Sequence, residues 1–261
     1  MTPKVKKLKR AAKPISPVMG TVYTVIGAAA FVAIWWIAAA AYNKELVFPS
    51  PANAVARLCE ELGSAYFWRA FGNSLLRSLI GFISAVFLSL LCAYLGALLP
   101  PLRKILSPVI GVLRALPTMS VILLFVLWVR SDVTPVLVAG LVIFPTLYSA
   151  VDAGLSSVPR DLTETATLYA GNRSYAFFKT ELPMAAPAYL RVAGGAASLT
   201  LKLTVAAEVL AQTRESIGLM MQQTRISFDI GRLMALTVAV VAAALVIEFA
   251  VYLIRRAVDY D

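Results

Sequence analysis

The sequence predicts an all-α integral membrane protein with six transmembrane helices. Two observations carry that expectation. Of the 261 residues, 60% are hydrophobic and 15% charged, with a mean hydropathy of +0.79, whereas a soluble domain is about 45–50% apolar and about 25% charged. In addition, six stretches reach the roughly 20 predominantly apolar residues that cross a bilayer: 18–41, 75–99, 105–129, 133–151, 184–211 and 233–254. They form one domain over 18–256, preceded by a basic tail, 1–17, and followed by a short tail, 257–261.

The first span follows Lys4, Lys6, Lys7, Lys9, Arg10 and Lys13. A secretory h-region has about 7–15 residues; the run 18–41 is longer and carries Trp35-Trp36 towards its far end, which predicts a retained helix anchored at the outer interface. Next, Phe48-Pro49-Ser50-Pro51 introduces a short interfacial helix, with Ser50 as N-cap and Pro51 at the first helical position. Val55, Leu58 and Leu62 share one face of it. With the basic N-terminus inside, the inner loops hold 13 Lys/Arg and the outer loops seven, which predicts both termini in the cytoplasm.

One substantial inner loop then remains, approached through Gly154–Pro159. Asp161 and Glu164 have capping-box spacing, so a helix begins there and runs to about Tyr169. Gly171 supplies the left-handed turn, and Asn172 caps a second helix that Leu182-Pro183 terminates. Ala166, Tyr169, Phe177 and Phe178 give this helix-turn-helix an apolar surface suited to a soluble partner.

Composition excludes several functions. Without histidine, the chain cannot by itself run Ser-His hydrolysis, a His-ligated zinc site or a His proton relay. Cys59 and Cys92 lie in unlike surroundings and suggest neither a disulfide framework nor a metal cluster. The net charge of +10 clusters beside apolar spans, which favours membrane orientation over nucleic acid as its purpose.

The stretch Glu164–Pro183 resembles the coupling motif of ABC importer permeases: Glu-Ala-Ala, three residues, Gly, nine residues, Ile, one residue, Leu-Pro. Glu164, Ala166, Leu182 and Pro183 are in register and Phe177 falls where these proteins often have Phe. Thr165, Ala170 and Thr180 depart from it, with Gly171 one step beyond the motif's glycine. Leu113-Arg114-Ala115-Leu116-Pro117-Thr118, Phe48-Pro49-Ser50-Pro51, and Ala206-Ala207-Glu208-Val209-Leu210 followed by Gly218 are similar to the nitrate, sulfonate and taurine branch.

That resemblance, over roughly residues 45–255, implies a type I importer permease with a cytoplasmic helix-turn-helix coupling loop, about 154–183, between helices 4 and 5. Glu164, Ala166, Gly171, Arg173, Phe177, Leu182 and Pro183 would form the coupling set. Glu164 would be the polar contact to the ATPase, Gly171 the turn and Phe177 an apolar anchor. The chain has no G-x-x-x-x-G-K-[ST] loop, so ATP and Mg would bind a partner ATPase dimer, and this chain would hold no cofactor. A second permease copy, in a homodimer, and an external solute-binding protein complete the implied assembly, in a bacterial-type inner membrane.

Charges within spans cost several kcal/mol and tend to face a cavity or a partner. Arg77 and Arg191 lie near span ends and can snorkel, and Glu248 falls near Arg255 and Arg256. Arg114, just before Pro117, is a candidate for a cavity-facing position. Lys202 and Glu208 lie deep in span five, but six residues rotate a helix by about 240°, so each should meet another helix. Arg114, Pro117, Lys202 and Glu208 are therefore the candidate pathway residues. A lumen with Arg114 and Lys202 would favour a small anion such as a sulfonate or nitrate-like compound; Lys202 could instead be neutralised by a glutamate across a dimer. Gly194 and Gly195 suit close helix packing, at a dimer axis among other places. The competing class is an autonomous ion-coupled secondary transporter or channel built on Glu208 and Lys202. A membrane enzyme would need a catalytic constellation that the sequence lacks.

Overall fold

The computed structural model describes residues 17–42 and 47–258. The basic residues Lys4 to Lys13, the N-terminal tail to Ser16, Lys44 and the last three residues lie outside them. Among the described residues every regular element is helical. In chain order they are α1 (Pro17–Tyr42), α2 (Pro51–Leu62), α3 (Ala65–Leu98), α4 (Pro100–Ala115), α5 (Thr118–Trp128), α6 (Thr134–Ser156), α7 (Arg160–Ala170), α8 (Arg173–Ala176), a π-turn (Phe177–Glu181), α9 (Leu182–Ala211), α10 (Ile217–Ile226) and α11 (Ile230–Val258).

Five helices are long and apolar enough to span a membrane, and the α4–α5 pair makes a sixth span if its two limbs count as one. The expected third span, 105–129, is thus not a single rod. Its limbs are bent by 94°, at Leu116-Pro117, where the missing N–H and the proline ring prevent the helix from continuing. The fifth span also differs from expectation: Leu182-Pro183 terminates nothing, and helix runs from Arg173 to Ala211. A π-turn over Phe177–Glu181 just before Pro183 lets it pass. In an α-helix the Pro183 ring would press on the carbonyl four residues back, and widening the turn relieves that contact.

α6 and α9 are the centre of the bundle, with α3 and α11 packed around them. Small residues make the joins close. A Cβ at Gly154 on α6 would lie 3.0 Å from the Cβ of Ala185 on α9, closer than carbons pack without strain, so glycine is what lets these two helices approach. Gly194 faces Val251 of α11 in the same chain, while Gly195 is exposed, so the first packs within this subunit. α1 stands largely apart, tied by the Trp35 indole N–H donating to the Pro49 carbonyl at 3.1 Å. On α2, Ser50 caps as expected, its Oγ accepting from the Asn53 N–H at 3.2 Å. The buried side of that helix is Pro51 and Ala54, however, while Val55 and Leu62 are exposed. Leu58 packs partly buried against the core, and Arg232 at the start of α11 grips Glu61 of α2 through two hydrogen bonds, of 2.5 and 3.2 Å.

At the α10 end, the Glu208 carboxylate is 0% exposed and is met by three residues, two from α3 and one from α10. Ser74 Oγ donates at 2.7 Å, Arg77 at 3.1 Å and the Gly218 N–H at 3.3 Å. Ser74 Oγ in turn accepts from the Ile217 N–H at 3.0 Å, and Arg77 also donates to the Arg214 carbonyl at 3.2 Å. Arg77 therefore does not snorkel to headgroups as expected; a buried carboxylate offers it more than the interface does. Gly218 is required by proximity, since a Cβ there would fall 2.3 Å from the Glu208 Cβ.

Removing one partner of a buried pair strands the other charge at about 3–5 kcal/mol, whereas replacing both with apolar residues is close to neutral. Arg77→Met should therefore lower the thermal midpoint of the detergent-purified chain far more than Arg77→Met/Glu208→Met does. Equal losses in the single and double variants would contradict the pair's structural role.

Candidate functional site

The segment between α6 and α9 is a braced helical hairpin. α6 stops at Ser156, and Pro159 flanks the start of α7 at its N-cap position with no side-chain hydrogen bond. The capping box expected of Asp161 and Glu164 is therefore not formed: the helix begins one residue earlier, at Arg160, which puts Asp161 inside its first turn. There its charge still favours the positive end of the helix dipole. Gly171 ends α7 at φ +61° as expected, and Asn172 caps α8 by accepting from the Ser174 N–H at 2.8 Å.

Tyr94 of α3 fastens this hairpin to the bundle, and an ion pair braces it from within. Tyr94 of α3 shares a 2.9 Å hydrogen bond with Ser174 Oγ. Its ring lies 5.2 Å from Phe177 and 5.1 Å from Phe178, centroid to centroid. Arg173 holds Glu181 across the π-turn through an ion pair. Phe177, expected to anchor a partner, is 1% exposed, so it anchors the hairpin to α3 and leaves Phe178 outside. Glu181 is a residue that sequence reasoning missed. An ion pair eight residues apart lies beyond the i,i+4 neighbours of a regular helix, and only the widened turn brings it into reach.

The outer surface of the hairpin is chemically mixed. Leu168 is 82% and Tyr169 91% exposed, with Tyr175 and Phe178 also more than half exposed, beside Arg160, Asp161 and Glu164. Glu164 is exposed and has no hydrogen bond or ion pair among the described residues. A groove of about 440 Å³ is lined by Ala166, Tyr169, Tyr175 and Thr180. A second cavity, of about 360 Å³, separates the hairpin from the bundle, lined by Arg103, Arg160 and Arg173 against Asp152, Glu164 and Glu181. Leu182 is half-buried and Pro183 exposed; both now belong to the first turn of α9.

The candidate pathway residues fall in three places. Arg114 ends α4, its Nη2 donating to the Pro145 carbonyl of α6 at 3.3 Å, and Pro117 is the bend below it. Lys202 lies on an exposed stripe of α9 with Gly195, Leu199, Ala206 and Leu210, and has no acidic partner among the described residues. Glu208 is on the opposite side, fully enclosed and spent on Arg77 and Ser74. The structure therefore does not bring Lys202 and Glu208 together.

Residues 85–260 match the family model described as binding-protein-dependent transport system inner membrane component. Among curated proteins, the chain is 28% identical over 191 residues to the riboflavin transport system permease protein RibX of Chloroflexus aurantiacus, covering 72% of this chain and 68% of that one. It is 26% identical over 200 residues to a probable ABC transporter permease protein of Brucella melitensis, covering 75% and 79% respectively. Among solved structures, it shares its fold with a chain of the MetNI methionine ABC transporter in inward-facing conformations, at a TM-score of 0.61 and 18% identity, covering 73% of this chain and 93% of that one. An amino acid ABC transporter structure follows at a TM-score of 0.57 and 15% identity, covering 73% and 91%.

A left-handed conformation costs a non-glycine residue about 1–2 kcal/mol, and no atom lies within 4 Å of a Cβ built on Gly171. Gly171→Ala should therefore quicken hydrogen exchange of the α7 and α8 amides by about five- to thirtyfold, with Gly171→Asn affected less. Unchanged exchange in Gly171→Ala would show that the hairpin does not depend on that turn.

Proposed function

Because the chain belongs to the family of binding-protein-dependent transport system inner membrane components, we propose that it is the translocating subunit of an ATP-driven importer whose exposed hairpin docks on the ATPase. The family's members are membrane permease subunits of ABC transporters, with the ATPase on a separate chain. The observation that carries the reading is the hairpin itself. It is fastened to α3 through Tyr94 and continuous with α9, yet presents Leu168 and Tyr169 almost fully to solvent beside the unpaired Glu164. Exposed apolar side chains rimmed by charge mark an interface, and a braced one transmits force where a loose loop would absorb it.

In this reading the hairpin and both termini face the cytoplasm, as the distribution of Lys and Arg favours. Glu164, Ala166 and Arg173 belong to the coupling face, with Leu168, Tyr169 and Phe178 as its apolar contacts, while Gly171, Phe177, Leu182 and Pro183 hold its shape. The exposed stripe of α9 through Lys202 faces a second copy across the pathway. ATP and Mg act on the partner, and an external binding protein supplies the cargo. Arg114 and Lys202, both without a carboxylate partner among the described residues, support a small anion as that cargo. The similarity to RibX, named for riboflavin transport, supports a second cargo class, a neutral heteroaromatic solute. Competition for uptake between a sulfonate and a flavin separates the two.

An autonomous ion-coupled transporter built on Lys202 and Glu208 finds no support, since the carboxylate is committed elsewhere. Affinity purification of the tagged chain from its native membrane should recover an ABC ATPase, and Glu164→Lys should reduce that recovery by about tenfold or more, the loss of a desolvated charge contact. Arg130→Gln, on an exposed residue between α5 and α6, should leave recovery unchanged. Full recovery with Glu164→Lys would remove Glu164 from the coupling face, and no ATPase in any sample would overturn the importer reading.

A further inference from the structure

We propose that the cleft between α4 and α6 is an oxyanion-binding site of this chain, taking the sulfonate, sulfate, phosphate or carboxylate group of a small solute. The proposal rests on the importer reading for its biological setting and on the cleft's own geometry for its chemistry. The cleft has a volume of about 390 Å³, within the roughly 300–1,000 Å³ of small-molecule sites. One face of α4 lines it from Arg103 and Lys104 through Ser107 and Gly111 to Arg114, and α6 closes it with Tyr148, Ser149 and Asp152.

The two ends of the cleft are fixed differently. At one, Arg103 Nε meets Asp152 at 2.6 Å and Arg103 Nη2 donates to Ser156 Oγ at 2.5 Å, so the only carboxylate lining the cleft is already neutralised. At the other, Arg114 Nη2 donates to the Pro145 carbonyl at 3.3 Å, and Ser149 Oγ donates to the same oxygen at 2.9 Å. That carbonyl orients the guanidinium while leaving most of its five N–H groups unused. Lys104 and the Ser107 hydroxyl have no partner among the described residues. The cleft therefore holds two uncompensated cations, one of them a planar fork suited to two oxygens of one group.

A lipid headgroup has the same chemistry, but it reaches only the shallow end. Arg114 is eleven residues along α4 from Arg103, about 16 Å at 1.5 Å per residue, and stands beside the mid-span proline of α6. We accordingly assign the site to a soluble oxyanion rather than a phospholipid.

The full chain in phosphatidylcholine nanodiscs should bind radiolabelled sulfate saturably in equilibrium dialysis, against chloride at matched ionic strength. Arg114→Gln should weaken binding by at least about tenfold, the usual effect of losing a charge-assisted hydrogen bond, with Arg114→Lys intermediate. Arg130→Gln should bind as the parent does. Absence of saturable binding in a preparation that is monodisperse and retains its thermal midpoint would overturn the proposal. So would binding that Arg114→Gln leaves unchanged. If phosphatidylglycerol displaces sulfate and Lys104→Gln, not Arg114→Gln, abolishes it, the site is a headgroup site and the assignment fails. ATPase recovery with the unsubstituted chain separates the two readings: a chain that recovers the ATPase yet binds no sulfate retires the anion site and leaves the importer standing.

Discussion

A carboxylate with no exposed surface sets the terms for the rest of this bundle. Lipid offers Glu208 no hydrogen bond, so the protein must surround it. It does so with Ser74 and Arg77 from α3 and the Gly218 N–H from α10. These contacts fix the depth at which α3 crosses α9, draw α10 down against both and make Gly218 the residue that fits. The same helix that carries Glu208 begins, without interruption, in the hairpin at Arg173. That helix has 39 residues, Arg173–Ala211, about 58 Å at an α-helical rise. A displacement of the hairpin is thus delivered along one rod to the point where three elements are tied together.

The rod is not uniform: a π-turn precedes Pro183, and Pro187 lies inside α9. Pro183 would break a regular helix, and the π-turn ahead of it absorbs the clash while Arg173 and Glu181 close the widened turn. Pro145 lies within α6, and its carbonyl accepts from both Ser149 and Arg114. Pro117 receives no such repair, and there the chain bends by 94°. Proline alone does not decide between a tolerated kink and a broken span. Pro108, Pro145 and Pro187 lie inside α4, α6 and α9 without ending them, and among the described residues the turn is widened only ahead of Pro183.

How much of this was legible in the sequence follows from how far each determinant reaches. Ser50 with Pro51, Gly171 and Asn172 act within three or four residues, and the structure has them in the expected roles. The apolar runs show up in composition, because a bilayer demands length and hydropathy wherever a helix packs. The Arg77–Glu208 pair joins residues 131 apart, and no local pattern discloses it. The Arg232–Glu61 pair of α11 and α2 joins residues 171 apart and is equally hidden from local pattern. Asp161 and Glu164 had the spacing of a cap, but helix starting at Arg160 used the preceding proline as its boundary instead.

Phe177 and Phe178 show why the functional face is hardest to read from sequence. Two identical adjacent side chains both meet the Tyr94 ring, yet one is buried and the other half-exposed. Periodicity cannot assign them, since the π-turn shifts the phase of the helix between them and α9. Once the phase is known, the chemistry is consistent. A hairpin meant only to reverse the chain has no reason to leave Leu168 and Tyr169 bare next to Glu164, and a lipid-facing one would not carry Arg160, Asp161 and Glu164. Apolar contacts ringed by charge suit a soluble surface rather than lipid, and the Tyr94 brace ties the hairpin to α3 as well as to α9.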